Sequence, residues 1–290
     1  MPPDPEWLVV DTARDYLPHR EKVAQLFEAA FHRQFSPSGW QQYYFDNPYG
    51  DAIVALAYAG PALVAHQALI PALACDGSSE VRYHLSLSTM VHPQHRSVPL
   101  FLQLFERVHQ RAARAGSGFV LGFPNANLHT PLRRCFGYVP IVETPLCNWS
   151  PPRSEDASSR IEATPWTGRR GQFAPPASRT YWDWRTKQNK ARAVRVNGRL
   201  GAVYKVLAGG ILNVLGLDAC SAAACRDDLA HLARAEQCSC VRITRAHASM
   251  LAIAESELAA HDGYWVRMLA RPLCQPVPNL EFNLLFCDIF

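Results

Sequence analysis

Between Tyr83 and Cys147 the chain gathers most of the side chains whose types and spacing bear on chemistry. His84 and His129 are the candidates for moving a proton, because an unperturbed imidazole titrates near working pH. Arg96 stands in the polar turn Val91-His92-Pro93-Gln94-His95-Arg96-Ser97-Val98-Pro99-Leu100-Phe101, where Pro99 can open a helix at its first turn. Asn125 and Asn127, within Gly122-Phe123-Pro124-Asn125-Ala126-Asn127, are of a type that caps helix starts by accepting from free amides. Cys135 and Cys147 have no histidine visibly paired with them, so burial suits them better than nucleophilic attack. Farther on, Cys220, Cys225, Cys238 and Cys240 fall close together around His231 without Cys-x-x-Cys spacing, so small buried side chains are expected there and no metal centre is.

Periodicity supplies the elements that must position these residues. A strand is expected at 7–11 and an amphipathic helix at 18–34, with Val23, Leu26, Phe27 and Ala30 at three-to-four spacing. A shorter helix at 37–45 and a hairpin of 52–58 with 63–70 follow. The alternation of Tyr83, Leu85, Leu87 and Thr89 with His84, Ser86, Ser88 and Met90 predicts a strand over 82–91. A helix at 100–115, a buried strand at 119–123, a helix at 128–135 and a long strand at 138–149 complete the first half. Residues 150–177, rich in Pro, Ser, Arg and Gly, read as a linker. Beyond them Asn197-Gly198 marks a hairpin of 191–196 with 200–206. A strand at 211–217, a helix at 225–237, a strand at 241–244, a helix at 250–260 and strands at 264–273 and 282–289 are expected next. This is the first half's order again, with Gly137-Tyr138 and Gly263-Tyr264 each closing a short helix before a long strand. The expectation is an α/β (α+β, mixed-sheet) chain of two tandem domains, 1–149 and 178–290.

Two strings carry a resemblance. The turn from Val91 to Phe101 resembles the donor loop of the GCN5-related N-acetyltransferase (GNAT) superfamily, Q/R-x-x-G-x-G/A, with Arg96 in its first position, Pro99 in place of a glycine and Phe101 in place of Gly/Ala. Gly122–Asn127, leading to Phe136-Gly137-Tyr138-Val139, resembles the family's fifth strand and following helix. The resemblance implies that Met90, Val91, Arg96, Ser97, Val98, Leu100 and Phe101 bind the pyrophosphate arm of acetyl-CoA or another acyl-CoA. Loop amides and a helix start are the physical basis of such sites. Asn125 and Asn127 either cap the helix or line the thioester. The carboxylate and tyrosine that the family often uses are missing, which is why His84 and His129 are considered for proton transfer. The resemblance extends to tandem proteins of polysaccharide and natural-product biosynthesis, with a donor site in the first half only. The second half's turn, Leu217-Asp218-Ala219-Cys220-Ser221, offers no Arg or Gln and places Asp218 where a phosphate would lie. Tyr181, Asp183 and Arg185 are then expected to contact the acceptor.

Composition narrows the function classes. The 290 residues are 48% hydrophobic and 19% charged, so a sizeable core is available and wholesale disorder is excluded. A net charge of +4 falls well short of the clustered excess that marks a nucleic-acid binder. The most apolar stretch, 201–217, is interrupted by Lys205 and Asn213, so no membrane span is expected. Scattered cysteines and the absence of a basic-then-apolar start point to the cytoplasm. The expected activity is N-acyl transfer to a small-molecule amine from acyl-CoA or an acyl carrier protein. The alternatives are an aminoacyl-tRNA-dependent transferase resembling the peptidoglycan interpeptide-bridge enzymes, drawing on the basic run 179–199, and a catalytically silent GNAT-like binding module.

Overall fold

The computed structural model describes residues 5–152, 159–164, 172–219 and 221–280. The first half runs β1 (Glu6–Val10), α1 (Ala13–Tyr16), α2 (Arg20–Phe31), α3 (Pro37–Tyr44), β2 (Ile53–Ala59), β3 (Ala62–Cys75), β4 (Glu80–Val91), α4 (Val98–Arg114), β5 (Phe119–Gly122), α5 (Ala126–Phe136) and β6 (Val139–Trp149). Then come β7 (Ile161–Ala163), α6 (Arg179–Asn189), β8 (Arg192–Val196), β9 (Leu200–Leu207), β10 (Ile211–Ala219), α7 (Ala222–Ala235), β11 (Cys240–Thr244), α8 (Arg245–Met250) and β12 (Leu258–Pro272). The expected strand at 282–289 lies outside the described residues.

The twelve strands of the described residues form one mixed sheet in the order β1-β2-β3-β4-β5-β12-β6-β11-β10-β9-β8-β7. Its two halves repeat one pattern, four antiparallel strands, a parallel fifth and an antiparallel sixth. The sixth strands are exchanged. β12 lies beside β5, with Leu269 opposite Gly122, while β6 lies beside β11, with Trp149 opposite Val241. The expected boundary at residue 149 therefore does not separate two self-contained sheets. Packing follows the exchange: Met268, Leu269 and Ala270 of β12 are buried in the first half's cores, and Trp149 of β6 in the second's.

The apolar runs of β2 and β3 are buried on both faces, as covering by helices on both sides requires. One face meets Val23 and Leu26 of α2 with Trp40 and Tyr44 of α3; the other meets Leu100, Leu104, Phe105 and Val108 of α4. α4 owes that contact to its three-to-four apolar spacing. In the second half the expected helix at 250–260 is displaced. The Thr244 hydroxyl accepts from the His247 amide and starts α8 at Arg245, and residues 258–260 already pair with β6. Gly263 closes no helix; it lies in an irregularity of β12 between Ala260 and Trp265.

Three histidines are buried inside the first half. His84 is hydrogen-bonded to the Ser117 hydroxyl (3.0 Å) and His109 to Tyr138 (3.0 Å), while His66 lies beside Tyr16. Burial lowers the pKa of His66 and His84 from 6.5 to about 4 and that of His109 to about 3. The folded chain thus resists protonation that the unfolded chain accepts. Stability is complete above pH 6.5 and is lost as pH falls towards 4. Urea unfolding at pH 5 is expected to show a loss of about 2 kcal/mol per buried histidine relative to pH 7.5. Equal stability at the two pH values would contradict neutral burial.

Candidate active site

The site begins at an irregularity in β4. His66 of β3 faces Met90 and Ala68 faces Leu87, so β4 holds one residue more than its partner across that step. Ser88, at φ 53°, takes up the extra length in the left-handed region, which non-glycine residues seldom occupy. A buried relay fixes it. Trp40 Nε1 donates to the Tyr16 hydroxyl (3.1 Å), which pairs with His66 Nε2 (2.8 Å), and His66 Nδ1 meets the Ser88 carbonyl oxygen (2.8 Å). A carbonyl only accepts, so Nδ1 carries the proton, Nε2 accepts, and the Tyr16 hydroxyl donates. Gln67 holds both flanks, donating to the Ser86 hydroxyl (3.0 Å) and accepting from the Thr89 hydroxyl.

Past the paired positions Tyr83–Phe119, His84–Val120 and Leu85–Leu121, no ladder joins β4 to β5. The strands diverge, and a slot of ≈ 520 Å³ opens between Ser86–Thr89 on one side and Gly122–Asn125 on the other, with Leu128 and Leu132 of α5 along it. It shares Phe31, Thr89, Asn125 and Leu128 with a cavity of ≈ 500 Å³ at the start of α4. Met90, Val91, Arg96, Ser97, Val98, Phe101, Asn125 and Asn127 all line that cavity. Leu100 does not: it is buried in the core beneath α4. Asn125 caps α5, accepting from the Leu128 amide (3.1 Å), and also borders both cavities.

The start of α4 leaves few amides free. Ser97 caps α4 by accepting from the Leu100 amide (3.3 Å), the Phe101 amide bonds the Ser97 carbonyl (3.1 Å), and Pro99 has no amide. Of the first turn only Val98 keeps an amide for a ligand, beside the exposed Arg96 guanidinium. Ala30, Phe31, Thr89 and Leu128 complete the lining. The exposed Phe31 at the C-terminus of α2 was their one sequence signal, an apolar side chain on a helix end without a core to enter.

Several expected site residues lie elsewhere. His84 is inside the core on Ser117, and its lowered pKa makes it a poor base. His129 borders neither of these cavities, nor a third of ≈ 160 Å³ between α2, α3 and β4; its Nε2 pairs with Glu143 of β6 (2.8 Å). Tyr181 and Arg185 are buried where α6 meets α3, and Arg185 donates to the Tyr43 hydroxyl (2.8 Å). Asp183 is on the surface beside Arg179. Most of the basic run is also engaged: Lys187 pairs with Asp46, Arg192 with Glu236, Arg195 with Asp218 and Arg199 with Asp228.

Diverging central strands beside a capped helix start place an open slot at the centre of an α/β protein with a mixed sheet. A family model described as an acetyltransferase (GNAT) domain matches residues 18–141, the stretch that holds the slot, and supports an acyltransferase. No curated protein matches the chain. Among solved structures, a GCN5-related N-acetyltransferase from Kribbella flavida aligns over 93% of this chain and 72% of its own, with TM-score 0.61 and 14% identity. A GCN5-related N-acetyltransferase from Anabaena variabilis aligns over 92% and 73%, with TM-score 0.63 and 13% identity. A Pyrococcus horikoshii protein aligns over 96% and 95%, with TM-score 0.57 and 10% identity. At such identities the likeness establishes the shared fold.

His66→Leu should test what the relay contributes. It strands the Ser88 carbonyl and the Tyr16 hydroxyl in the core, and a loss of about 2–4 kcal/mol is expected in denaturant unfolding. A loss below about 1 kcal/mol would show that the Ser88 conformation is held by other contacts.

Proposed function

We propose that the chain is an N-acyltransferase that takes its acyl group from acyl-CoA, bound in the first half, and passes it to the amine of a small molecule. The observation that supports this reading is the convergence of eight expected donor residues on one cavity continuous with the slot. Coenzyme A has a pyrophosphate and an amide-bearing arm ending in the thioester. In this reading Arg96 and the Val98 amide meet the pyrophosphate, with the positive end of the α4 dipole adding to the attraction. The arm runs along the unpaired edge of β4, whose backbone groups can pair with its amides as a strand would. The thioester then reaches the backbone of Ser88 and Thr89.

Among the described residues lining the three cavities there is no histidine and no carboxylate. The amine therefore attacks in its neutral form and gives its proton to water, and the departing thiolate is protonated from solvent. We read the two halves as a tandem pair in which the second supports the site through α6 and β12 and holds no donor of its own. The engaged arginines of 179–199 do not favour tRNA as donor. A small amine also suits the closed slot better than a macromolecule does.

Arg96→Glu is expected to weaken coenzyme A binding at least tenfold, about 1.4 kcal/mol, in a protein that unfolds at the wild-type temperature. Unchanged affinity in titration calorimetry would remove the loop from the donor site. Binding of neither coenzyme A nor acetyl-CoA by the wild-type chain would favour a silent module. With a reactive amine in hand, kcat/KM should rise tenfold per pH unit up to the amine's own pKa. A second inflection between pH 5 and 8 would reveal an enzyme base that the cavity lining does not contain.

A further inference from the structure

A third cavity continues from the slot on the α2–α3 face of the sheet. It measures ≈ 160 Å³, shares Phe27, Leu87 and Ser88 with the slot, and meets the donor cavity at Met90. Its other walls are Val23, Phe35, Ser36, Gly39, Trp40, Tyr43 and Tyr44. The Trp40 Nε1 proton is committed inward to Tyr16, so that wall presents a ring face rather than a donor. Phe27, Phe35 and Trp40 brace one another at ring separations of 5.8 and 6.3 Å. No charged side chain lines it.

We infer that this aromatic pocket holds the acyl tail, and that the enzyme prefers a medium-length or aromatic acyl group over acetyl. The inference rests on the donor reading above. Ser88 borders both slot and pocket, so a thioester carbon brought to Ser88 by the arm has the pocket immediately beyond it. An ammonium would meet ring faces and hydroxyl-bearing residues there but no carboxylate to pair with. An apolar tail gains from the same walls. A dry apolar cavity of roughly 150 Å³ holds a benzene ring, so ≈ 160 Å³ suits a short alkyl chain or one ring and is left largely empty by acetyl.

The test is titration calorimetry of the full chain with coenzyme A, acetyl-CoA, hexanoyl-CoA and benzoyl-CoA. Each buried methylene is worth about fourfold in affinity, so hexanoyl-CoA is expected to bind at least tenfold more tightly than acetyl-CoA. Benzoyl-CoA should also bind more tightly than acetyl-CoA. Gly39→Leu, which fills the pocket from α3, should bring the hexanoyl-to-acetyl ratio close to one. Phe27→Ala, which enlarges it, should move the preference to octanoyl-CoA. Equal affinity of the wild type for acetyl- and hexanoyl-CoA overturns the inference and leaves the donor site standing, as does a preference that survives Gly39→Leu. Failure of all four compounds to bind overturns the donor reading itself.

Discussion

The hydrogen bond from His66 Nδ1 to the Ser88 carbonyl is the constraint on which the rest of the site depends. A left-handed serine in the middle of a strand is strained, and only its surroundings can hold it there. The surroundings here form a chain of buried groups in which each proton position follows from the next. The carbonyl sets the His66 tautomer, the tautomer makes the Tyr16 hydroxyl a donor, and Tyr16 then accepts from Trp40. Protonating His66 would place a charge in the core without a carboxylate beside it, and burial lowers its pKa to about 4. With Ser88 fixed, β4 leaves β5 after Leu85, and the slot opens where two parallel strands would otherwise have closed it.

The same chain explains how the second half bears on a site it does not line. Trp40 and Tyr44 turn one face of α3 to the pocket, while Gln42 and Tyr43 grip α6. Gln42 donates to the Trp184 carbonyl, and Trp184 Nε1 returns a bond to the Gln42 carbonyl (2.7 Å). α3 is therefore clamped between the relay and α6. The exchanged strands close the assembly from the other side, since β5, which borders the slot, has β12 as its outer neighbour. Neither half completes its sheet alone, and loosening of the second half would reach the slot through β12 and α3 together.

What the sequence made legible was local. The donor loop and the Gly122–Asn127 string were readable because their residues are adjacent in the chain and their chemistry is that of a turn. The element order was readable from periodicity, which depends on neighbours a few residues apart. The Ser88 bulge was not: bulges announce themselves through glycine, and Tyr83 to Met90 alternate as an ordinary strand would. The strand exchange was equally hidden. β6 and β12 carry the same apolar pattern in either partner's sheet, so nothing local says which strand each will join. His84 illustrates the converse error, in which a titratable residue on the right strand lies four positions short of Ser88, deep enough to be neutral and silent. Tyr181 and Arg185, expected to contact the acceptor, are buried instead, and the α3 residue that bonds Arg185, Tyr43, lies 142 residues away in the chain.

In the donor reading proposed above, the two ends of the site bind by different physics, and this divides affinity from selectivity. At the α4 end the cap and Pro99 leave one first-turn amide, so an anion is held mainly by the exposed Arg96, a contact that salt screens. At the α2–α3 end the walls are apolar and hydrogen-bonded inward, so attraction there grows with buried area and is indifferent to salt. A ligand long enough to reach both is held more firmly than either end holds alone, because the second contact follows the first at high effective concentration. A donor with a short tail forgoes that gain and depends on the weaker, screened end. The substitution of Pro99 for a glycine, which by itself reduces a phosphate site, is thus compatible with tight donor binding wherever the acyl group supplies what the helix start has given up.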